Sequence, residues 1–174
     1  MVGKRLLDGL GLTGASLHET PAVEDVFDPS LQLFPPVAEQ FAALCWRREK
    51  SKVEVLMVTT RGTGRWIIPK GWLVPGKTAA ESALIEAWEE AGVSGEAAKA
   101  PIGSFAYTKI FGANKLRPIR AEVYAVEVDT LAKRWPEEGQ RKRKWMSPKK
   151  AAQKVAEPEL SELLRAFNPR RGNA

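Results

Sequence analysis

The chain reads as an α/β protein, and three observations predict that class. Residues 52–60, KVEVLMVTT, form a nearly continuous β-branched apolar run; a strongly signalled helix follows over residues 79–91; and further strand candidates lie beyond it, succeeded by two more helical segments. Strands on either side of helices, with no internal repeat, favour one domain in which helices pack on a sheet.

Each element has a local reason. EQFAALCWR (39–47) and KVEVLMVTT look like two strands, the second with the pattern of a buried sheet position. Arg61-Gly-Thr-Gly64 is a turn, and Arg65-Trp-Ile-Ile68 a short strand stopped by Pro69. Thr78-Ala-Ala-Glu81 has the S/T-x-x-E spacing of a capping box, so the helix starts there; Gly92 stands beyond its last turn. Residues 71–78 are then a loop entering a helix. GSFAYTKIF (103–111) and RAEVYAVEV (120–128) are strands joined by the hairpin turn GANKL. KRKWM (142–146) is a further short strand, Ser147-Pro148 opens a helix to about Ala156, and Glu159 to Phe167 is another helical segment.

A length of 174 residues and a composition 44% apolar and 28% charged fit one domain able to bury its own core. Residues 1–36 are rich in Gly, Pro, Ser, Thr and Asp without periodicity and read as a leader outside the core; residues 37–168 are the domain and 169–174 a tail. The longest apolar run, Phe41 to Trp46, is far short of the ~20 residues that cross a bilayer, so no membrane span is expected. Asp8, Gly9 and Gly11 break the N-terminal apolar stretch too early for a signal peptide. Cys45, the single cysteine, is flanked by apolar residues and reads as a buried structural thiol in a reducing, cytoplasmic protein. The net charge of +6 is a C-terminal property: residues 133–174 carry 12 Lys/Arg against 5 Asp/Glu, whereas residues 1–132 carry 15 against 16. Such a patch suits polyanions, although a solvated surface or tail is the commoner explanation.

Against that basic background stand three carboxylates within five residues, Glu86, Glu89 and Glu90. At i, i+3 and i+4 on a helix they share a face, where like charges repel unless a cation neutralises them. Oxygen-only ligands suit Mg²⁺ or Mn²⁺, which also take phosphate oxygens. The loop before the helix, Pro69 to Gly76, brings Lys70 to the same place, and a cation beside a carboxylate cluster is what a metal-phosphate complex needs. The competing reading is a solvated acidic stripe.

The segment Gly71-x5-Lys77-x7-Ile85-Glu86-Ala87-x-Glu89-Glu90-x-Gly92-Val93 resembles the Nudix box, G-x5-E-x7-R-E-U-x-E-E-x-G-U with U aliphatic, without a gap over 23 positions. The resemblance implies a Nudix fold, an α/β/α sandwich with a mixed central sheet. It implies Mg²⁺ or Mn²⁺ held by Glu86, Glu89, Glu90 and the carbonyl of Gly71, with Glu89 or Glu90 also a candidate general base. Lys77 stands where the box has Glu and Ile85 where it has Arg, a residue that in the family helps to position the helix carboxylates. Either metal binding is weaker here or another cation substitutes.

Arg65-Trp-Ile-Ile-Pro69 before the box and Arg141-Lys-Arg-Lys-Trp145 after it are similar to the branch that hydrolyses diphosphoinositol and dinucleoside polyphosphates. As a strand, the latter puts Arg141 and Arg143 on one face and Lys142 and Lys144 on the other. Arg65, Lys70, Arg141 and Arg143 are thus candidate phosphate contacts, while a solvated edge strand or a nucleic-acid patch is the alternative for RKRK. Glu39 and Gln40, where inositol-phosphate readers tend to be basic, turn the expectation toward dinucleoside polyphosphates or other nucleoside-diphosphate-linked substrates. Rival functions are diphosphoinositol polyphosphate hydrolysis, removal of a 5′ pyrophosphate from RNA, and a nucleotide-binding module weakened in turnover. Trp66 and Trp88 read as core; Trp72, in the box loop, reads as core or as a cover over the substrate.

Overall fold

In the computed structural model, which describes residues 37–111 and 115–169, the frame is a hairpin of β1 (Ala38–Glu49) and β2 (Lys52–Thr59). They pair antiparallel, with Glu49 opposite Lys52. The two turn residues, Lys50 and Ser51, adopt φ of 46° and 67°, the left-handed geometry of a two-residue primed turn whose twist matches the strands. The leader expected over residues 1–36 lies outside the described residues, as do 170–174 of the expected tail and 112–114 of the hairpin turn.

β1 is the central strand. It runs parallel to β7 (Lys115–Leu131), with Ala38 opposite Ile119 and Trp46 opposite Glu127. On its other edge it pairs antiparallel with β2 and with the two-residue β4 (Lys70–Gly71). β3 (Trp66–Ile67) and β8 (Arg143–Met146) pair with β2; β5 (Val93–Ala97) and β6 (Gly103–Phe111) pair with β7. Every ladder but β1–β7 is antiparallel, so the sheet is mixed. Gln40 through Trp46 are buried at every position, which requires cover on both faces. Trp46 meets Phe167, at the end of α3 (Pro158–Ala166), at a centroid distance of 6.2 Å. Its neighbour Cys45, pointing to the opposite face, lies within the field of Glu90 on α1 (Ala79–Ala91). The two helices therefore sandwich the sheet.

The capping box at the start of α1 forms as the sequence predicts: the Glu81 amide donates to Thr78 Oγ1 at 3.2 Å and the Thr78 amide to Glu81 Oε2 at 2.8 Å. The helix ends at Gly92 with φ 68°, its N–H returning to the Trp88 carbonyl at 2.8 Å. Ala83, Ala87 and Ala91 form the fully buried stripe. Trp88 lies outside that stripe and is 40% exposed, which corrects its reading as core. The segment opened by Ser147 and Pro148 ends as α2 (Pro148–Ala152), earlier than expected. Ser161 on α3 donates its hydroxyl to the Ala152 carbonyl at 2.8 Å, so the neighbouring helix supplies the stop that no glycine marks. Cys45 is buried, and desolvation pushes its thiol far above the ordinary range, the signature of a structural cysteine.

The αL cap yields the first prediction. A Cβ at Gly92 would lie 2.9 Å from Arg143 Nη1 and 3.1 Å from the Trp135 side chain, in a backbone region that costs L-residues about 1–2 kcal/mol. Gly92→Ala should lower the midpoint of thermal unfolding by several degrees, measured by circular dichroism; an unchanged midpoint contradicts the cap geometry.

Candidate metal and phosphate site

The loop from Gly71 to Thr78 is tied to the helix it enters by one hydroxyl. Ser82, fully buried, accepts from the Val74 amide at 3.1 Å and donates to the Thr78 carbonyl at 2.9 Å. Upstream, the Ala43 amide donates to the Pro69 carbonyl at 2.9 Å, and Gly71 pairs with Phe41 in the β1–β4 ladder. Both ends of the loop are thus fixed to the core. Gly71 consequently lies directly against α1: a Cβ there would fall 1.7 Å from Glu86 Oε1, so the Glu86 carboxylate occupies the space a side chain would need. The box glycine and the box glutamate meet because only glycine leaves that room.

The three glutamates differ in environment. Glu89 is exposed, Glu86 half-buried and Glu90 buried, with 5% of its surface accessible. Burial raises the Glu86 carboxyl above the usual range, with repulsion from Glu89 and Glu137 adding to it. Burial also pushes Glu90 up to about 7, outweighing the attraction of Arg141 and Lys70. Arg141 Nη2 donates to Glu90 Oε1 at 2.6 Å, while Glu90 Oε2 is buried without a hydrogen-bond partner.

Lys70 is half-buried on β4, its ammonium 5.2 Å from the Tyr107 ring centroid. Desolvation lowers its pKa, with Glu90 the largest opposing influence. A cation held partly out of water beside carboxylates is well suited to receive an anionic oxygen. Tyr107 donates its hydroxyl to the Gln40 side chain, so Gln40 serves as a buried polar anchor. Arg65 pairs with the buried Glu157 at 3.2 Å and is 45% exposed. Trp72 is 40% exposed with Lys109 5.5 Å from its ring centroid, which removes it from the core.

The alternation expected for Arg141-Lys-Arg-Lys144 is present: Lys142 and Lys144 are exposed, and the two arginines turn inward. Both guanidiniums are committed to the protein rather than displayed. Arg143 donates to the carbonyls of Ala91 at 2.5 Å and Ala132 at 2.7 Å and stacks on Trp135 at 3.7 Å. It supplies the cation that the last turn of α1 itself lacks. Arg141 binds Glu90, Glu137 and the Thr59 carbonyl. Glu137 and Glu157 carry no sequence signal: neither belongs to a motif, and only the fold brings Glu137 onto α1 and Glu157 to Arg65.

Among the described residues no three His, Cys, Asp or Glu side chains converge closely enough to form a ready-made cation cage. The donor chemistry nonetheless fits a hard divalent ion: a carboxylate against the Gly71 backbone, a second carboxylate with one oxygen buried and unpartnered, and an exposed third on the same helix face. A cavity of about 740 Å³ lined by Trp46, Ile102, Leu163 and Phe167 contains none of these residues.

Comparison with known proteins gives a consistent result. The NUDIX domain model matches residues 38–167. Human diphosphoinositol polyphosphate phosphohydrolase 3-beta is 32% identical over 106 residues, covering 60% of each chain, so this chain spans about 60% of the length of that relative. Human diphosphoinositol polyphosphate phosphohydrolase NUDT4B is 30% identical over 141 residues, 76% of this chain and 74% of that protein. The fold resembles a binary complex of the C. elegans Ap4A hydrolase, with a TM-score of 0.57 at 20% identity over 74% of this chain and 93% of that one. It also resembles the NUDIX domain of Shewanella oneidensis NrtR complexed with ADP ribose, with a TM-score of 0.56 at 14% identity over 80% and 90%. Sheet order, box helix and glycine-glutamate contact belong together: the chain is a member of the NUDIX family.

Proposed function

We propose that the chain hydrolyses a phosphoanhydride bond in a dinucleoside polyphosphate or another nucleoside-diphosphate-linked substrate, with Mg²⁺ or Mn²⁺ as cofactor. The observation that carries this reading is the contact of Glu86 with Gly71 at the mouth of a helix that also bears Glu89 and Glu90. Glu86, Glu89, the free oxygen of Glu90 and the Gly71 carbonyl are the proposed ligands. A divalent cation bound there neutralises charge on the phosphate oxygens and activates water for attack.

The chain's own groups do the rest. Lys70, half-desolvated above the same helix, receives a phosphate oxygen; Arg65, at the rim, gives a second contact while it stays anchored to Glu157. Glu89, which is exposed, is our candidate to take a proton from the attacking water, with Glu90 the other candidate. The lack of basic residues at Glu39 and Gln40 and the exposed Trp72 beside Lys109 favour a nucleotide. The names of the relatives favour a second reading, a diphosphoinositol polyphosphate substrate. Pyrophosphate removal from RNA and binding without turnover are the remaining rivals. No helix among the described residues is long and apolar enough to cross a membrane.

Phosphate release should be measured from dinucleoside polyphosphates, diphosphoinositol phosphates, ADP-ribose and 5′-triphosphorylated RNA, with and without Mg²⁺. Metal-dependent release from a nucleotide is expected, and binding without release from any of them contradicts the proposal. Glu89→Gln and Glu90→Gln should each lower turnover at least tenfold, about 1.4 kcal/mol in barrier; unchanged rates would remove the assignment. Gly71→Ala should displace the Glu86 carboxylate, the flexible partner in that contact, and cost turnover tenfold or more while the thermal midpoint holds within about 2 °C. A large fall in midpoint would instead make Gly71 a purely structural glycine.

A further inference from the structure

Helix α1 carries glutamates at 86, 89 and 90 but not a single lysine or arginine between Ala79 and Ala91. Position 85, the place of the box arginine, is Ile85, and Lys77 in the preceding loop pairs outward with Glu81 at 3.6 Å. Whatever cation orients the carboxylates must therefore come from another element. Arg141 and Lys70 both attract the Glu90 carboxylate, and of the two Arg141 alone hydrogen-bonds to it.

The setting of Arg141 is that of a strut. Its side chain is 7% exposed. Nη2 donates to Glu90 Oε1 at 2.6 Å, Nη1 to the Thr59 carbonyl at 3.0 Å, and Nε to Glu137. Thr59 ends β2 and also fixes the residue after Arg141, accepting the Lys142 amide at its hydroxyl at 2.9 Å. The Glu137 amide donates to the Glu89 carbonyl at 3.1 Å, so the segment bearing Glu137 is itself docked on the turn of α1 that holds the carboxylates. A planar guanidinium with one N–H from each nitrogen committed to a different element has a single orientation. A buried arginine so placed is not available to a phosphate unless the Glu90 pair breaks.

We propose that Arg141 is the positioning residue of this site: it pins Glu90 by Oε1 and leaves Oε2, buried and otherwise unpartnered, as the oxygen offered to the cation. This rests on the metal-dependent reading above and assigns Arg141 a role other than substrate contact. The function of the missing helix arginine is supplied from the approach to β8, which is why the apolar Ile85 is compatible with the site. Charge alone is insufficient on this account, because a lysine ammonium cannot reproduce the fork to Glu90, Thr59 and Glu137.

The test is Mn²⁺ binding to the folded, substrate-free protein by titration calorimetry, beside steady-state kinetics on whichever anhydride the wild type hydrolyses. Arg141→Lys and Arg141→Gln are both expected to weaken Mn²⁺ binding at least fivefold and to lower kcat at least tenfold, with KM within threefold of wild type. Glu137→Gln, which loosens Arg141 from behind, should give a smaller loss in the same direction and serves if the Arg141 variants fold poorly by circular dichroism. Lys142→Gln, at an exposed neighbour, should change neither quantity. A raised KM with unchanged kcat and Mn²⁺ affinity makes Arg141 a phosphate contact and overturns the proposal. Tighter Mn²⁺ binding in Arg141→Gln shows that the guanidinium merely competes with the cation, which overturns it as well. A wild type that turns over its substrate while all three variants match it overturns the positioning role alone; a wild type that neither binds Mn²⁺ nor cleaves any anhydride overturns the functional reading together with it.

Discussion

Mutual repulsion among Glu86, Glu89 and Glu90 is the constraint around which the rest of the domain is arranged. Three carboxylates on adjacent turns of a cation-free helix disfavour that helix unless something outside it compensates. Two cations from outside the helix do so: Lys70, half-buried on β4, and Arg141, which reaches in to Glu90. Lys70 comes from β4 and Arg141 from the segment that leads into β8, so the sheet and its connections are the scaffold on which one helix face can remain acidic.

The connection from β7 to β8 does more than join strands. Ala132 donates its amide to the Gly92 carbonyl, Glu137 to that of Glu89, and Arg143 caps the Ala91 carbonyl. The C-terminal turn of α1, the turn that bears the carboxylates, is thereby held by backbone as well as by charge. A helix end normally frays; here the Glu89 and Ala91 carbonyls are met by the segment that leads into β8 and by its first residue, Arg143. Rigidity at that turn is useful for catalysis, since a ligand set held in place needs less reorganisation when substrate arrives.

Much of this was legible in the residues because it depends on local chemistry. The capping box, the αL glycine and the alternation through RKRK are short-range signals and appear where the sequence places them. The β1–β2 strands could be read from their apolar runs, but their Lys50-Ser51 turn carries none of the usual glycine or asparagine signal. β5, five residues with a glycine and a glutamate, and β4, two residues long, exist because β7 and β1 offer free edges, information no local pattern contains. In the site, Glu86 lies against Gly71, and Glu90 lies within the field of Glu86 and Lys70, while Glu89 stays exposed. The partners of Arg141 and Arg143 could not be foreseen: burial and hydrogen bonding to α1 decide whether a basic residue faces substrate or protein, and both are tertiary properties. Trp88 and the early end of α2 differ from expectation for the same reason, since the buried stripe of α1 and the Ser161 hydroxyl belong to packing.

On the proposed function, the last turns of α1 and the Gly71 backbone form one divalent-cation site. Anomalous scattering from crystals grown with Mn²⁺ tests it most directly. A manganese peak in contact with the Glu86 carboxylate and Glu90 Oε2, with Arg141 still on Oε1, is the expected result. A peak elsewhere on the protein, or none at these side chains at saturating Mn²⁺, would contradict it.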